Sequence, residues 1–319
     1  MNILEDIDLL DFMARQESQS IKPAGDFIEE AIERLEQGPA VFGDPLPWTK
    51  TMDKFRFRHS EISVWAGPNG QGKSLVMGQA ALWLAATGQK VLIASMEMPG
   101  AATVARMLRQ ASGTNLPSRK FAEGMREYTK DKIWIYDQVG SVKAEVMIAL
   151  IHYAAEQLGI NHIMIDSLVK CGVDSEHNEP QKKFVDQLAW AAKEHKVHIH
   201  LVHHIRKMSD ERSHPTKYDI KGAGEISDLS DNILLIYRNG AKEAKARAGI
   251  EIDEQEADCY IRVAKQRHGE FEGLFQFWFH AESQQWVPDS RVMPMPFPPP
   301  DERGFKSIFT HQVNEEKAI

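Results

Sequence analysis

Gly67-Pro68-Asn69-Gly70-Gln71-Gly72-Lys73-Ser74 satisfies the pattern G-x-x-x-x-G-K-[ST], and its residue types dictate a chemistry. Glycines at this spacing let successive backbone N–H groups point into one concavity. Lys73 reaches the outer phosphates of a nucleotide, and the Ser74 hydroxyl can ligate Mg²⁺. The phosphate-holding set runs from Gly67 through Leu75. A buried strand over Ile62 to Ala66 precedes it and a helix over Leu75 to Ala86 follows, ended by Gly88, which is where such a loop must sit.

Other candidates lie at the ends of later apolar runs, where open α/β sheets bind ligands. Ser95-Met96-Glu97-Met98 ends the second run and offers Glu97 as a general base that polarises the attacking water. Ile163-Met164-Ile165 ends in Asp166, a carboxylate able to hold Mg²⁺ through water. Ser167 follows where many phosphate-driven motors carry a second acid, so the base must come from elsewhere, and Glu97 fills that role. The next run ends in His203-His204. Adjacent strand residues face opposite ways, so one of these histidines can donate to a terminal phosphate and report its loss. His198 and His200 look like a metal pair, but no third and fourth ligand follow at zinc spacing, and they read as packing or surface residues.

Past His204, Ile205 to Leu229 lacks strong apolar periodicity and carries Arg206, Lys207, Arg212, Lys217 and Lys221, then Gly222-Ala223-Gly224. A basic loop of this length is uncommon unless functional. Held in a ring, such loops can line a pore and grip nucleic-acid phosphates, each neutralised phosphate adding about 0.9 to the salt slope on duplex DNA and about 0.7 on single strands. Lys265-Gln266-Arg267 follows an apolar strand, and Arg267 could serve as an arginine finger for a neighbour's nucleotide. Read without further context, it is a hairpin turn with surface charge.

The elements that must position these residues alternate. Strands are expected at Ile62 to Ala66, Val91 to Ala94, Ile133 to Tyr136, His162 to Ile165 and His198 to Val202, with helices between them, including Val142 to Leu158 (closed by Gly159) and Phe184 to His195. Ile233 to Tyr237, Tyr260 to Ala264 and Leu274 to Phe279 then follow with little helix. The expectation is an α/β fold: a mainly parallel central sheet with an antiparallel extension and helices on both faces. Residues 1–45 form an N-terminal segment with an amphipathic helix whose apolar face holds Phe27, Ile28, Ala31, Ile32 and Leu35. Asp26 and Glu29 resemble a capping box, and Gly38-Pro39 stops the helix. That face packs on its own domain or on a neighbouring subunit. Residues 46–288 form the catalytic domain, and 289–319, with Pro298-Pro299-Pro300, an extended and poorly ordered tail.

Composition excludes some classes. The chain has 319 residues, 42% hydrophobic and 26% charged, enough for a full core. A net charge of −8 argues against wholesale basic binding to nucleic acid and leaves it to local loops. Two cysteines cannot build a four-thiolate zinc site. No run approaches 18 apolar residues, and Glu5, Asp6, Asp8 and Asp11 give the N-terminus the wrong charge for a signal or transit peptide, so a cytoplasmic protein without a membrane partner is expected.

The order Gly67 to Ser74, Ser95-Met96-Glu97-Met98, Ile165-Asp166, His204, Lys221-Gly222-Ala223-Gly224 and Lys265-Gln266-Arg267 resembles the RecA-like core of DnaB-type, superfamily 4 replicative helicases. It is similar also to the helicase part of phage helicase-primases and of mitochondrial Twinkle, and His204 leans towards that branch. The resemblance covers roughly residues 40 to 288. It implies a hexameric ring that hydrolyses ATP or another NTP or dNTP with Mg²⁺ between subunits and moves 5′ to 3′ on single-stranded DNA. It also implies that Lys265 and Arg267 reach the adjacent subunit's nucleotide, that Arg206 to Gly224 is the central DNA-binding loop, and that Asp26 to Gln37 is a linker helix docking on a neighbour. Lys221 stands where many relatives have arginine. With no room for a primase domain, a primase is expected as a separate chain, alongside a polymerase or single-strand-binding protein. A RecA-family filament ATPase and a nucleotide-gated loader ring that does not unwind are the competing readings.

Overall fold

The apolar runs assemble into one nine-stranded sheet in the order β11-β10-β9-β8-β3-β7-β6-β4-β5. Its strands are β3 (Ile62–Gly67), β4 (Val91–Ser95), β5 (Ile133–Ile135), β6 (His162–Asp166), β7 (His198–His204), β8 (Asn232–Arg238), β9 (Cys259–Gln266), β10 (Gly273–His280) and β11 (Gln285–Val287). The computed structural model describes residues 22–37, 42–172, 178–205, 214–220 and 223–297. Strands β8, β3, β7, β6, β4 and β5 pair in parallel, and β9 to β11 add on antiparallel. A separate two-stranded ribbon joins β1 (Asp44–Pro45) to β2 (Arg56–Phe57).

Both faces of the parallel part are covered, which is why these strands read as unbroken apolar runs. On one face Ile62, Val64, Ile163, Ile165, Ile199 and Leu201 pack together; on the other lie Trp65, Met164, Val202 and Leu234. The helices in chain order are α1 (Ile28–Gln37), α2 (Thr49–Met52), α3 (Lys73–Ala86), α4 (Gly100–Ser112), α5 (Arg119–Thr129), α6 (Ala144–Leu158), α7 (Asn178–Glu194), α8 (Ala223–Leu229) and α9 (Gly240–Arg247). Helix α3 ends before Gly88 (φ +97°), and α6 is closed by Gly159 at φ +64°, the left-handed turn that glycine adopts without penalty.

Three expectations are corrected. Asp26 is not a capping residue: it lies inside a 3₁₀ turn, Ala24–Phe27, whose N-terminal residue Pro23 offers no side-chain cap. Helix α1 forms as expected with Phe27, Ile28, Ile32 and Leu35 exposed. Of the tail expected at 289–319, only 289–297 is described; it carries no helix or strand but is anchored rather than loose, and Pro298-Pro299-Pro300 and the rest lie outside the described residues. Gln285 clasps the Met295 backbone, its carbonyl accepting from Met295 N at 3.0 Å and its amide donating to Met295 O at 2.6 Å, while Phe297 is fully buried with its N–H on Ala111 O. Finally, the stretch after His204 is not all loop. It holds a 3₁₀ turn over Lys217–Asp219, a bridge between Ile205 and Ile220, and α8.

His198 and His200 are packing residues, as read from the sequence. They and His162 are fully buried on one side of the sheet, where the His162 and His200 rings stack 5.3 Å apart. Burial pushes the pKa of all three below the ordinary histidine value of 6.5. An imidazole held neutral in the fold takes up its proton only on unfolding, so its stability contribution is present above about pH 6.5 and is lost as the pH falls through the depressed value. Glu61 acts the other way: burial raises it to about 7, so its contribution is present at low pH and lost as the pH rises through 7. Each group shifts stability by about 1.4 kcal/mol per pH unit at most, and three histidines against two raised carboxyls, Glu61 and Asp166, decide the sign. Denaturation midpoints measured at pH 7.5, 6.5 and 5.5 are expected to fall with pH; a flat or rising series would show that the stack admits protons in the folded state.

Candidate active site

The carboxyl ends of β3, β4, β6, β7 and β8 share one edge, since all five strands run in parallel. Backbone geometry forces two glycines there. Gly67 lies so close to β8 that a Cβ on it would stand 2.0 Å from Ile236 O. Gly72 has φ +91°, and a Cβ there would come within 3.3 Å of the Trp286 ring. From Gly72 the chain turns into α3, whose first N–H groups at Leu75 and Val76 bond to Gly72 O. The loop so formed opens on a cleft of about 640 Å³ lined by Asn69 to Leu75, Glu97, Arg106, Asp166, His204 and Gln284.

Lys73 is 6% exposed and bends back over the loop, its Nζ donating to Gly67 O at 2.9 Å and Pro68 O at 2.7 Å. Burial lowers its pKa to about 8, against the attraction of Asp166 and Glu97. Ser74 Oγ donates to Asp166 Oδ2 at 2.5 Å. Burial raises the Asp166 carboxyl above the usual range, and Glu97 adds to the rise while the Ser74 hydrogen bond opposes it. At the end of β4, Glu97 Oε1 accepts from Ser167 Oγ at 3.2 Å and lies 4.0 Å from His204 Nε2. Ser167, standing where other motors place a second acid, thus holds the Glu97 carboxylate. His203 is buried while the His204 side chain is 26% exposed and faces the cleft, as alternation on a strand requires.

Lys265 and Arg267 are not brought to this cleft. β9 runs antiparallel to β8 with Asn232 opposite Gln266 and Arg238 opposite Cys259, which puts them at the far edge of the sheet. Lys265 Nζ donates to Ser227 O at 2.6 Å and Ser230 O at 2.7 Å, and its pKa is lowered by burial and by Arg267. Arg267 pairs with Asp231 at 3.0 Å and donates to Asp228 O at 2.7 Å. Both cations therefore cap the C-terminal turn of α8. Of the basic loop, Lys217 opens the 3₁₀ turn and Gly224 lies in α8. Arg206, Lys207, Arg212, Lys221 and Gly222 lie outside the described residues.

Several residues escape a reading of the sequence. Arg106 reaches the cleft from α4, with its guanidinium against the Met98 sulfur and its pKa lowered by burial. Its signal is the inward stripe Thr103, Arg106, Met107, Gln110, in which polar residues stand where a core helix face would be apolar. Gln71, already in the phosphate-holding set, also has a contact that the sequence does not show, accepting the Arg238 N–H at 2.7 Å and tying the loop to the end of β8. Gln284 closes the cleft from the turn before β11 and buried Trp286 backs the loop at Gly72, long-range contacts with no local pattern.

Over residues 50–287 the chain matches the family described as DnaB-like helicase C terminal domain. It is 24% identical over 204 residues to the DNA helicase/primase of Enterobacteria phage T3, a match covering 57% of this chain and 36% of that protein. The chain thus spans about a third of that relative's length. Among solved structures it is similar to one described as an ATPase domain, with TM-score 0.73, 17% identity and coverage of 84% of this chain and 99% of that one. It is similar also to a DnaB-like replicative helicase whose structure was described with its interactions with primase, with TM-score 0.67, 16% identity and coverage of 84% and 67%. Both likenesses show a RecA-like ATPase fold.

Proposed function

This chain belongs to the family of DnaB-like helicase C-terminal domains, and we propose that it is the ATP-dependent motor of a replicative DNA helicase. In that reading, copies form a homo-hexameric ring, hydrolyse ATP or another NTP or dNTP between subunits, and move 5′ to 3′ on single-stranded DNA to part the duplex. One observation carries it. Lys73, Ser74, Glu97, Asp166 and His204 converge on one edge of the sheet, while Lys265 and Arg267 sit at the opposite edge, out of reach of the chain's own cleft, which supports a reading in which they serve a neighbouring copy.

The cleft supports a definite division of labour. Lys73 and the loop amides hold the phosphates, and an arriving anion favours the charged lysine that burial otherwise disfavours. Ser74 Oγ and Asp166 Oδ2 are adjacent hard oxygen donors that fit Mg²⁺, leaving most of an octahedron to phosphate and water. When bound, the ion neutralises charge on the outer phosphates. Glu97, oriented by Ser167, accepts the proton of the attacking water, and His204 beside it donates to the terminal phosphate and reports its loss. Arg267 and Lys265 act as fingers in the neighbour's cleft. Because α8 carbonyls hold them at rest, they must leave those carbonyls to reach a neighbour's nucleotide, while Arg206, Lys207, Arg212, Lys217, Lys221, Gly222 and Gly224 of the preceding basic segment hold the DNA.

Helix α1 docks on a neighbouring copy, and a separate primase, polymerase or single-strand-binding protein is the expected partner in the cytoplasm. Among the described residues no helix is long and apolar enough to cross a membrane. Added single-stranded DNA is expected to raise the hydrolysis rate, and binding should weaken with salt by about 0.7 in slope per phosphate held. Hydrolysis indifferent to DNA, with a flat salt response, would contradict this reading.

A further inference from the structure

Among the described residues two clusters bring three metal-ligating side chains together, Asp44 with His59 and His162, and His152 with Glu156 and His195. They look alike in composition, but hydrogen-bond bookkeeping separates them. Trp65 Nε1 can only donate, and its partner at 3.2 Å is His200 Nδ1, which must therefore accept. His200 then carries its proton on Nε2 and donates to His162 Nδ1 at 3.0 Å, so His162 carries its own on Nε2 and donates it to Asp44 at 3.0 Å. The nitrogen that a metal would need is already protonated, and a donor that cannot reverse holds it so. That cluster is a directed hydrogen-bond chain.

The second cluster has no such lock. His152 and Glu156 lie one turn apart on α6, and His195 directly follows α7. His152 Nδ1 and His195 Nε2 are 2.7 Å apart with the rings at 83°, and Glu156 Oε1 is 3.7 Å from His195 Nδ1. Glu156 Oε1 is too far from Nδ1 for a hydrogen bond, but its charge on that side of the ring favours the tautomer with the His195 proton on Nδ1, which leaves Nε2 as a lone pair. His152 then supplies the proton shared between the rings. Moving that proton to its own Nε2 through solvent leaves the ring neutral and frees Nδ1, so that two imidazole nitrogens face one point with a carboxylate within 4.8 Å. Separation of the nitrogens by about half an ångström admits a cation at the usual distance of about 2.0–2.1 Å from each.

We propose that His152, His195 and Glu156 form a surface site for a divalent first-row transition cation of the Zn²⁺ class, with water completing the shell. Imidazole nitrogen selects such ions over Mg²⁺ and Ca²⁺, which take oxygen ligands. The site joins the helix that enters β6 to the helix that leaves it, and so braces the strand ending in Asp166 from outside the nucleotide cleft. It is independent of that cleft's chemistry.

The test is done on the nucleotide-free full chain. At Zn²⁺ one hundred times the dissociation constant, the thermal midpoint is expected to rise by on the order of 3 °C, and Co²⁺ should give a visible d–d band. Both signals should vanish in His152→Ala and in His195→Ala, weaken in Glu156→Gln and persist in Asp44→Asn. Melting without metal shows that each variant is folded. No midpoint rise and no Co²⁺ band in the wild-type chain, or signals unchanged in both histidine variants, would overturn the site; loss in Asp44→Asn alone would move it to the other cluster.

Discussion

Glu97→Gln is expected to lower steady-state nucleotide hydrolysis by about 10² to 10⁴-fold while leaving nucleotide affinity within a few-fold of wild type. The geometry sets both halves of that result. Glutamine keeps an oxygen to accept from Ser167 Oγ, so the end of β4 and the cleft wall keep their shape. What it cannot do is accept the proton of the attacking water. The phosphate-holding groups, Lys73 and the amides of Gly67 to Ser74, lie on a different strand end and are untouched. Measured by turnover together with titration of a fluorescent nucleotide, the two quantities should separate. Parallel loss of affinity and turnover would make Glu97 a structural residue and leave the site without a base.

The second large effect is expected at the far edge. Arg267→Ala should reduce hydrolysis by about 10³ to 10⁵-fold, the range of an arginine finger, although Arg267 touches nothing in its own cleft. Its cis role cannot account for a loss of that size. The pair with Asp231 is 39% exposed on the arginine side and 6% on the aspartate side, so its loss acts on folding stability and is read as a shifted denaturation midpoint, not as a raised barrier in a remote cleft. A 10³-fold rate loss corresponds to about 4 kcal/mol in the barrier. Mixing Arg267→Ala with Lys73→Ala subunits tests the direction of the contact. Each variant alone should be inactive, and mixed rings should regain partial activity where an intact cleft meets an intact arginine. A midpoint shift with unchanged turnover in Arg267→Ala would reduce it to a surface ion pair.

Much of this architecture is legible in the sequence because local chemistry and tertiary role coincide. Gly67 to Ser74 can be placed from spacing alone, since glycine is the only residue that fits against Ile236 O and at φ +91°. The strand ends at Glu97, Asp166 and His204 follow from apolar runs that are buried on both faces. Where sequence pattern falls short, the cause is a long-range partner or a competing local turn. Asp26 resembles a cap because its spacing to Glu29 is local, but the turn winds from Ala24. The segment after Pro288 reads as loose because proline-rich sequence carries no core pattern, and the order of its described part, 289–297, rests on Gln285, a single buried side chain that satisfies both polar groups of the Met295 backbone. Arg106 is only half legible: the inward polar stripe on α4 marks its face as unusual, but its place across the cleft from Asp166 is a long-range contact that no local periodicity encodes. The opposite placement of Lys265 and Arg267 likewise needs the antiparallel register of β9 on β8.

The most direct measurement of the central claim is strand separation on a forked duplex with nucleoside triphosphate and Mg²⁺, wild type beside Glu97→Gln. Wild type should release the labelled strand with a rate that follows nucleotide hydrolysis, and Glu97→Gln should bind the fork without opening it. Hydrolysis stimulated by single-stranded DNA in a wild-type chain that leaves the fork closed would contradict a helicase and favour a ring or filament that remodels its partners without unwinding.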